Sequence, residues 1–211
     1  MGGGPGGEVA STIAVTTARE NLLNLLSANA LEEDIPRLMS EALVAVQTAV
    51  VKRTIADPCL DGMGTTLDMV VIRRDRLFTC HIGDSRIYIF RRGTLRQITS
   101  DDNYAAFLAE NEKIPPHLIP AAYRHILTQA IGPSEKLDPE IQSLEIEAGD
   151  MLLMCSDGLN EALKDNEIEE IIRRSPDDLD ALAEDLINAS NDRGGPDNIS
   201  VALIKPFPFP S

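Results

Sequence analysis

Along the first fifty residues the apolar positions recur at helical spacing. Val9, Ile13, Leu22, Leu23 and Leu26 mark one helix, with Glu8 and Glu20 on other faces. Leu38, Ala42, Val46 and Val50 mark a second, from Glu32 to Lys52, and Leu43 widens its stripe. Pro36 fits its first turn. After a loop rich in Pro, Gly and Asp (Asp57–Gly64) the period changes to two. Leu67–Arg73, Arg76–Ile82, Arg86–Phe90 and Thr94–Ile98 are predicted strands. Their connections, Arg74-Asp75, Gly83-Asp84-Ser85 and Arg92-Gly93, are short, so a meander of antiparallel neighbours is expected. That order argues against a βαβ dinucleotide fold.

Further on, Tyr104–Glu112 has helical character. Lys113–Tyr123, with Pro115, Pro116 and Pro120, is expected to be a surface excursion before order returns over Arg124–Ile131. Ile141–Ile146 and Met151–Cys155 are predicted strands around the turn Ala148-Gly149-Asp150. Helices follow near Leu159–Leu163, Asn166–Arg174 and Asp177–Asn191. Ile199–Ile204 is a last strand, and Phe207–Ser211 a tail broken by proline. No internal repeat is visible.

Composition narrows the function class. The 211 residues suggest one domain, long enough for a core without disulfides. Nineteen Lys+Arg against 34 Asp+Glu give a net charge of −15, which argues against a nucleic-acid partner and suits a cation site of carboxylates. No apolar run has the length of a membrane helix, and no signal peptide opens the chain. Gly6 stands where a myristoylation signal needs Ser or Thr. Cys59, Cys80 and Cys155 are odd in number and widely spaced, which fits free thiols in a reducing cytoplasm. The glycine-rich start lacks the Lys-Ser/Thr of a P-loop. Five glycines leading straight into a helix resemble the interior of a domain more than a tail.

Three Asp-bearing turns flank apolar strands: Gly83-Asp84-Ser85-Arg86, Ser156-Asp157-Gly158 and Gly195-Pro196-Asp197-Asn198. A carboxylate at a strand end is held by rigid backbone, and a neighbouring Gly lets a ligand or metal come close. Any one of these turns alone reads as a simple chain reversal. If the three met at one sheet edge, they would suit a hard divalent cation, which takes oxygen ligands and retains waters. His81, in the strand before Gly83, reads as structural; His117 and His125 receive no catalytic role. Arg86, Arg91 and Arg92 read as solvated strand-end charges. Neither a GxSxG nucleophile elbow nor a CxxxxxR loop occurs.

Seven segments in order resemble the metal-dependent Ser/Thr phosphatases of the PPM (protein phosphatase 2C) family in its bacterial form. They are GGGPGGEVAS (Gly2–Ser11), GMGTTL (Gly62–Leu67), HIGDSRIYIFRRG (His81–Gly93), ITSDDN (Ile98–Asn103), LTQAIG (Leu127–Gly132), GDMLLMCSDGL (Gly149–Leu159) and GGPDNISVAL (Gly194–Leu203). The resemblance covers the chain to about residue 205, as one phosphatase domain with 206–211 as a tail. It implies an α+β fold, a four-layer α-β-β-α sandwich of two antiparallel sheets flanked by helices. It also implies a Mn²⁺ or Mg²⁺ centre of two or three ions, and an activated water that attacks phosphoserine or phosphothreonine, with no protein nucleophile. Asp157 and Asp197 match the family's metal-binding Asp residues, Asp84 matches the Asp that helps hold a third metal, and Glu161 is a weaker candidate. Tyr104–Tyr123 corresponds to the flap beside the family's active site. The implied partners are proteins phosphorylated on Ser or Thr, and counterpart Ser/Thr kinases.

The resemblance starts partway through a family motif. Met1-Gly2-Gly3 aligns with the last letters of Asp-Gly-Met-Gly-Gly, so the fold is expected to be N-terminally truncated. The family's bridging Asp, its carbonyl-donating Gly and its phosphate-binding Arg fall before Met1. Two expectations follow: the start is an internal Met of a longer reading frame, or the chain is a catalytically impaired module that binds a phosphoprotein or regulator.

Overall fold

The computed structural model describes residues 6–26, 30–174 and 177–206. In chain order the first elements are α1 (Gly7–Leu25), α2 (Ile35–Ala56), β1 (Leu67–Arg73), β2 (Arg76–Ile82), β3 (Arg86–Arg91), β4 (Thr94–Gln97) and α3 (Tyr104–Glu110). Then come β5 (Glu140–Glu145), β6 (Met151–Cys155), α4 (Asp157–Ala162), α5 (Asp165–Arg174), α6 (Leu179–Asn191) and β7 (Val201–Ile204). The expectations for Gly2–Gly4 and for the tail Phe207–Ser211 lie outside the described residues. Among the described residues no helix is long and apolar enough to cross a membrane.

The fold is α+β, with two antiparallel sheets flanked by helices. The chain divides into two units, and each holds one sheet and its helices. In the first, the sheet runs in the order β1-β2-β5. Its core joins Leu67, Met69, Phe78, Cys80 and Ile82 of the strands to Met39, Ala42, Val46 and Val50 of α2. The seam of α1 is made by Ala10, Ala14 and Ala18, one turn apart, which let α2 come close. The leucines that the periodicity placed there are peripheral: Leu22 and Leu26 are partly buried, and Leu23 is 64% exposed. Alanine carries too little apolar weight to stand out in a periodicity count, yet it fits a close helix–helix approach.

In the second unit the sheet order is β4-β3-β6-β7, antiparallel throughout. Tyr88, Met151 and Leu153 pack on Leu159, Ile168, Ile172, Leu182 and Leu186 of the helices. Ile87, Ile89 and Leu152, on the other face, are buried too. The sheet is therefore apolar on both sides, and its central strands read as continuous hydrophobic runs.

The predicted strand spans hold to within a residue or two, but the continuous meander does not. β1 neighbours β2 and β3 neighbours β4, whereas Gly83–Ser85 carries the chain from one sheet to the other. The turn before β6 does the same, since β5 pairs beside β2 and β6 between β3 and β7. At the first of these passages Gly83 is closely packed. Its φ is +114°, and a Cβ there would stand 2.3 Å from Thr66 Cγ2. Arg91 also departs from expectation. It is no solvated charge, because its Nε and Nη2 grip both carboxylate oxygens of Asp150 at 2.8 and 2.6 Å, and Asp150 is 1% exposed.

His81 is fully buried, and its Nδ1 donates to Asp68 Oδ1 at 2.6 Å. Its Nε2 has no partner among the described residues. Burial alone would lower its pKa. The Asp68 hydrogen bond, with the charges of Asp68, Asp102 and Glu140, outweighs burial and raises it above the ordinary value of 6.5. A proton held more tightly by the folded chain stabilises the fold fully below about pH 6.5, and that contribution is lost as pH rises through the folded pKa. Urea unfolding followed upward from pH 5.5 is therefore expected to show falling stability, and H81N to flatten that slope. An unchanged slope in H81N would assign it to other groups.

Candidate metal centre

The end of β6 sets the geometry of the second unit's Asp turns. Cys155 pairs with Arg86 on one side and Val201 on the other, so the strand is held on both edges up to its last residue. Ser156 stays extended (φ −72°, ψ 166°), and α4 begins at Asp157. The Asp157 carboxylate thus projects from the first turn of a helix that starts directly off a central strand. It is half-buried.

The segment that bears Asp197 comes up against the start of α4. After α6 the chain turns through Gly194 and Gly195, both with positive φ, and Gly195 N donates to Ser190 O at 3.2 Å. Pro196, Asp197 and Asn198 then lead into β7. Gly158 meets this segment: a Cβ there would lie 2.5 Å from Asn198 O and 3.2 Å from Asp197 O. Only glycine allows that approach, which seats the helix bearing Asp157 on the turn bearing Asp197. Two hydroxyls add pins. Ser156 Oγ donates to Asn198 O at 3.1 Å and accepts from Ser200 N at 2.9 Å. Ser190 Oγ, buried in α6, donates to Gly158 O at 3.0 Å. Asp197 is exposed, and its Oδ1 accepts from Asn198 N at 2.7 Å.

Asp84 belongs to the first unit, at the end of β2, and is half-buried. Its neighbour Gly83 is fixed from both sides: Gly83 N donates to Asp102 Oδ2 at 2.8 Å, and Asp102 N to Gly83 O at 2.7 Å. Gln129 Nε2 holds the other Asp102 oxygen at 2.8 Å. Burial raises the Asp102 pKa, against the bonds from Gly83 and Gln129. Asp102 therefore anchors the loop of Asp84. Glu161 stands one turn beyond Asp157 on α4, and is exposed.

The structure thus brings Asp157 and Asp197 onto adjoining segments of one unit. Among the described residues, no three His, Cys, Asp or Glu side chains gather as a metal cage. Two carboxylates on adjoining turns, with a glycine between, fit in chemistry a hard ion that takes one or two carboxylates and keeps waters. The residues not foreseen were the supports: Ser156, Ser190 and Asp102. Ser156 and Asp102 lay inside motifs already noted. Ser190 had no sequence signal, since a Ser on a helix face reads as ordinary surface.

Known proteins bear on this arrangement. The chain is 33% identical over 203 residues to the serine/threonine protein phosphatase PstP of Mycobacterium tuberculosis, covering 96% of this chain and 38% of that one. It thus spans less than half of that relative's length. The catalytic domain of PstP, solved in complex with two manganese ions, superposes with a TM-score of 0.80 at 33% identity, over 96% of this chain and 82% of that one. The serine/threonine phosphatase of S. agalactiae superposes with a TM-score of 0.85 at 31% identity, covering 96% and 83%. A family model described as protein phosphatase 2C matches residues 1–203. With that match over nearly its whole length, the chain belongs to the protein phosphatase 2C family.

Proposed function

We propose that this chain works as a Mn²⁺- or Mg²⁺-dependent protein serine/threonine phosphatase, acting on proteins that cytoplasmic Ser/Thr kinases phosphorylate. The observation that carries the reading is the seating of Asp157 against the Asp197–Asn198 turn through Gly158. Asp157 and Asp197, in the second unit, would hold a divalent ion, and Asp84, in the first unit, would be a ligand of a further one. When bound, the ions supply Lewis acidity and an acidified water for attack at phosphorus. The chain's own part is to fix these carboxylates on rigid backbone, so that little reorganisation is needed at the moment of reaction. Residues 1–205 act as one phosphatase domain in this reading. Cys59, Cys80 and Cys155 are thiols rather than disulfides, which suits a reducing compartment. The −15 charge repels acidic peptides, so basic residues around the phosphosite are expected to favour binding.

The test is hydrolysis of p-nitrophenyl phosphate by the purified chain with Mn²⁺ and with EDTA. Turnover that needs Mn²⁺ is expected, and turnover indifferent to EDTA would sink the metal mechanism. One observation favours a second reading, a module that binds phosphoproteins without hydrolysing them: no three-ligand cage forms among the described residues. Phosphopeptide binding without turnover, unaffected by Mn²⁺, would establish it.

A further inference from the structure

Ser156 stands at the N-cap of α4, where a serine hydroxyl ordinarily accepts from the second or third backbone N–H of its own helix. It makes no such bond. Its hydroxyl instead accepts from Ser200 N and donates to Asn198 O. The backbone ladder of β6 and β7 ends nearby: Cys155 pairs with Val201, and Ser156 N donates to Ser200 O at 3.1 Å. Beyond that rung one chain turns into α4 and the other into the Asp197 turn, so backbone pairing cannot continue. The Ser156 hydroxyl supplies the next link from a residue adjacent to Asp157, and it grips the carbonyl of the residue after Asp197. From the far side, Ser190 holds Gly158 O.

We propose that Ser156 is a positioning residue of the metal centre: its hydroxyl sets the placement of Asp157 relative to Asp197, in place of capping its own helix. The proposal rests on the reading of these two carboxylates as metal ligands. The role is local rather than global. Asn198 and Ser200 are exposed, so water can replace the hydroxyl's bonds with little effect on the fold, but water does not tie the two segments together. Groups that orient metal ligands commonly matter by about 10–100-fold in affinity.

The test uses two variants of the same shape. Ser156 is extended, a conformation that suits β-branched residues, so both S156T and S156V fit the backbone, and only threonine keeps the hydroxyl. Mn²⁺ affinity of the full chain is measured by electron paramagnetic resonance of free Mn²⁺, with thermal melting alongside. S156T is expected within about threefold of wild type, and S156V weaker by about 10–100-fold, at closely similar melting temperatures. S156A, which adds no atoms, should weaken Mn²⁺ as S156V does. Equal affinity in S156T and S156V would overturn the positioning role and leave the metal reading standing. A folded wild-type chain that takes up no Mn²⁺ would overturn the metal reading itself, and the positioning role with it.

Discussion

Replacing Asp157 by alanine is expected to cut Mn²⁺-dependent phosphatase turnover by at least roughly 100-fold, because removing a ligand should exceed the about 10–100-fold loss typical of residues that only orient one. The fold should survive. Asp157 is half-buried at a helix start, and removing its carboxylate leaves the Ser156, Gly158 and Ser190 contacts in place. The loss should appear as weaker Mn²⁺ binding and a lower kcat, with unchanged circular dichroism. D157N separates charge from shape: it keeps the volume and one oxygen but loses the anion a hard cation needs. If D157A kept its metal-stimulated rate, Asp157 would be no ligand, and the proposed centre would fail.

Gly158→Ala sets two effects against each other. Gly158 lies inside α4, where alanine is intrinsically favoured by about 1 kcal/mol. Yet the added methyl would stand 2.5 Å from Asn198 O and 3.2 Å from Asp197 O, both backbone atoms that cannot swing aside as a flexible side chain does. Forcing an extra carbon into such a contact costs about 1–3 kcal/mol. The clash is therefore expected to win. G158A should be less stable in urea unfolding and should bind Mn²⁺ more weakly than wild type, because relief of the clash separates the two Asp-bearing segments. A variant of equal or greater stability would mean that the segments part easily and that the close approach does not set the site.

Much of this was legible in the chain itself. β1 and β2 were predicted to the residue, because two short apolar runs bounded by Arg74-Asp75 and Gly83 are a local signal. The turns of Asp84, Asp157 and Asp197 were legible for the same reason, since aspartate with a glycine one or two residues away, next to an apolar strand, is local chemistry. Ser190 and the His81–Asp68 pair were not. Each depends on a partner 32 or 13 positions away, and neither residue's neighbours in sequence announce it.

The positions of helices and strands, the acidic balance and the carboxylates beside strand ends could be read locally, since they follow from periodicity, charge and turn chemistry within a few residues. Tertiary structure alone decided which strand pairs with which. Period two says that a segment is a strand but leaves its neighbour open, so Gly83–Ser85 looked like a hairpin turn and is instead the passage between sheets. It also decided that the alanines of α1 form its seam and that Gly158, beside Asp157, meets the backbone of the Asp197–Asn198 turn, which lies far off along the chain. Long-range packing selects among partners that the local pattern leaves equivalent, and it does so through close contacts, such as Gly158 on Asn198, that no periodicity encodes.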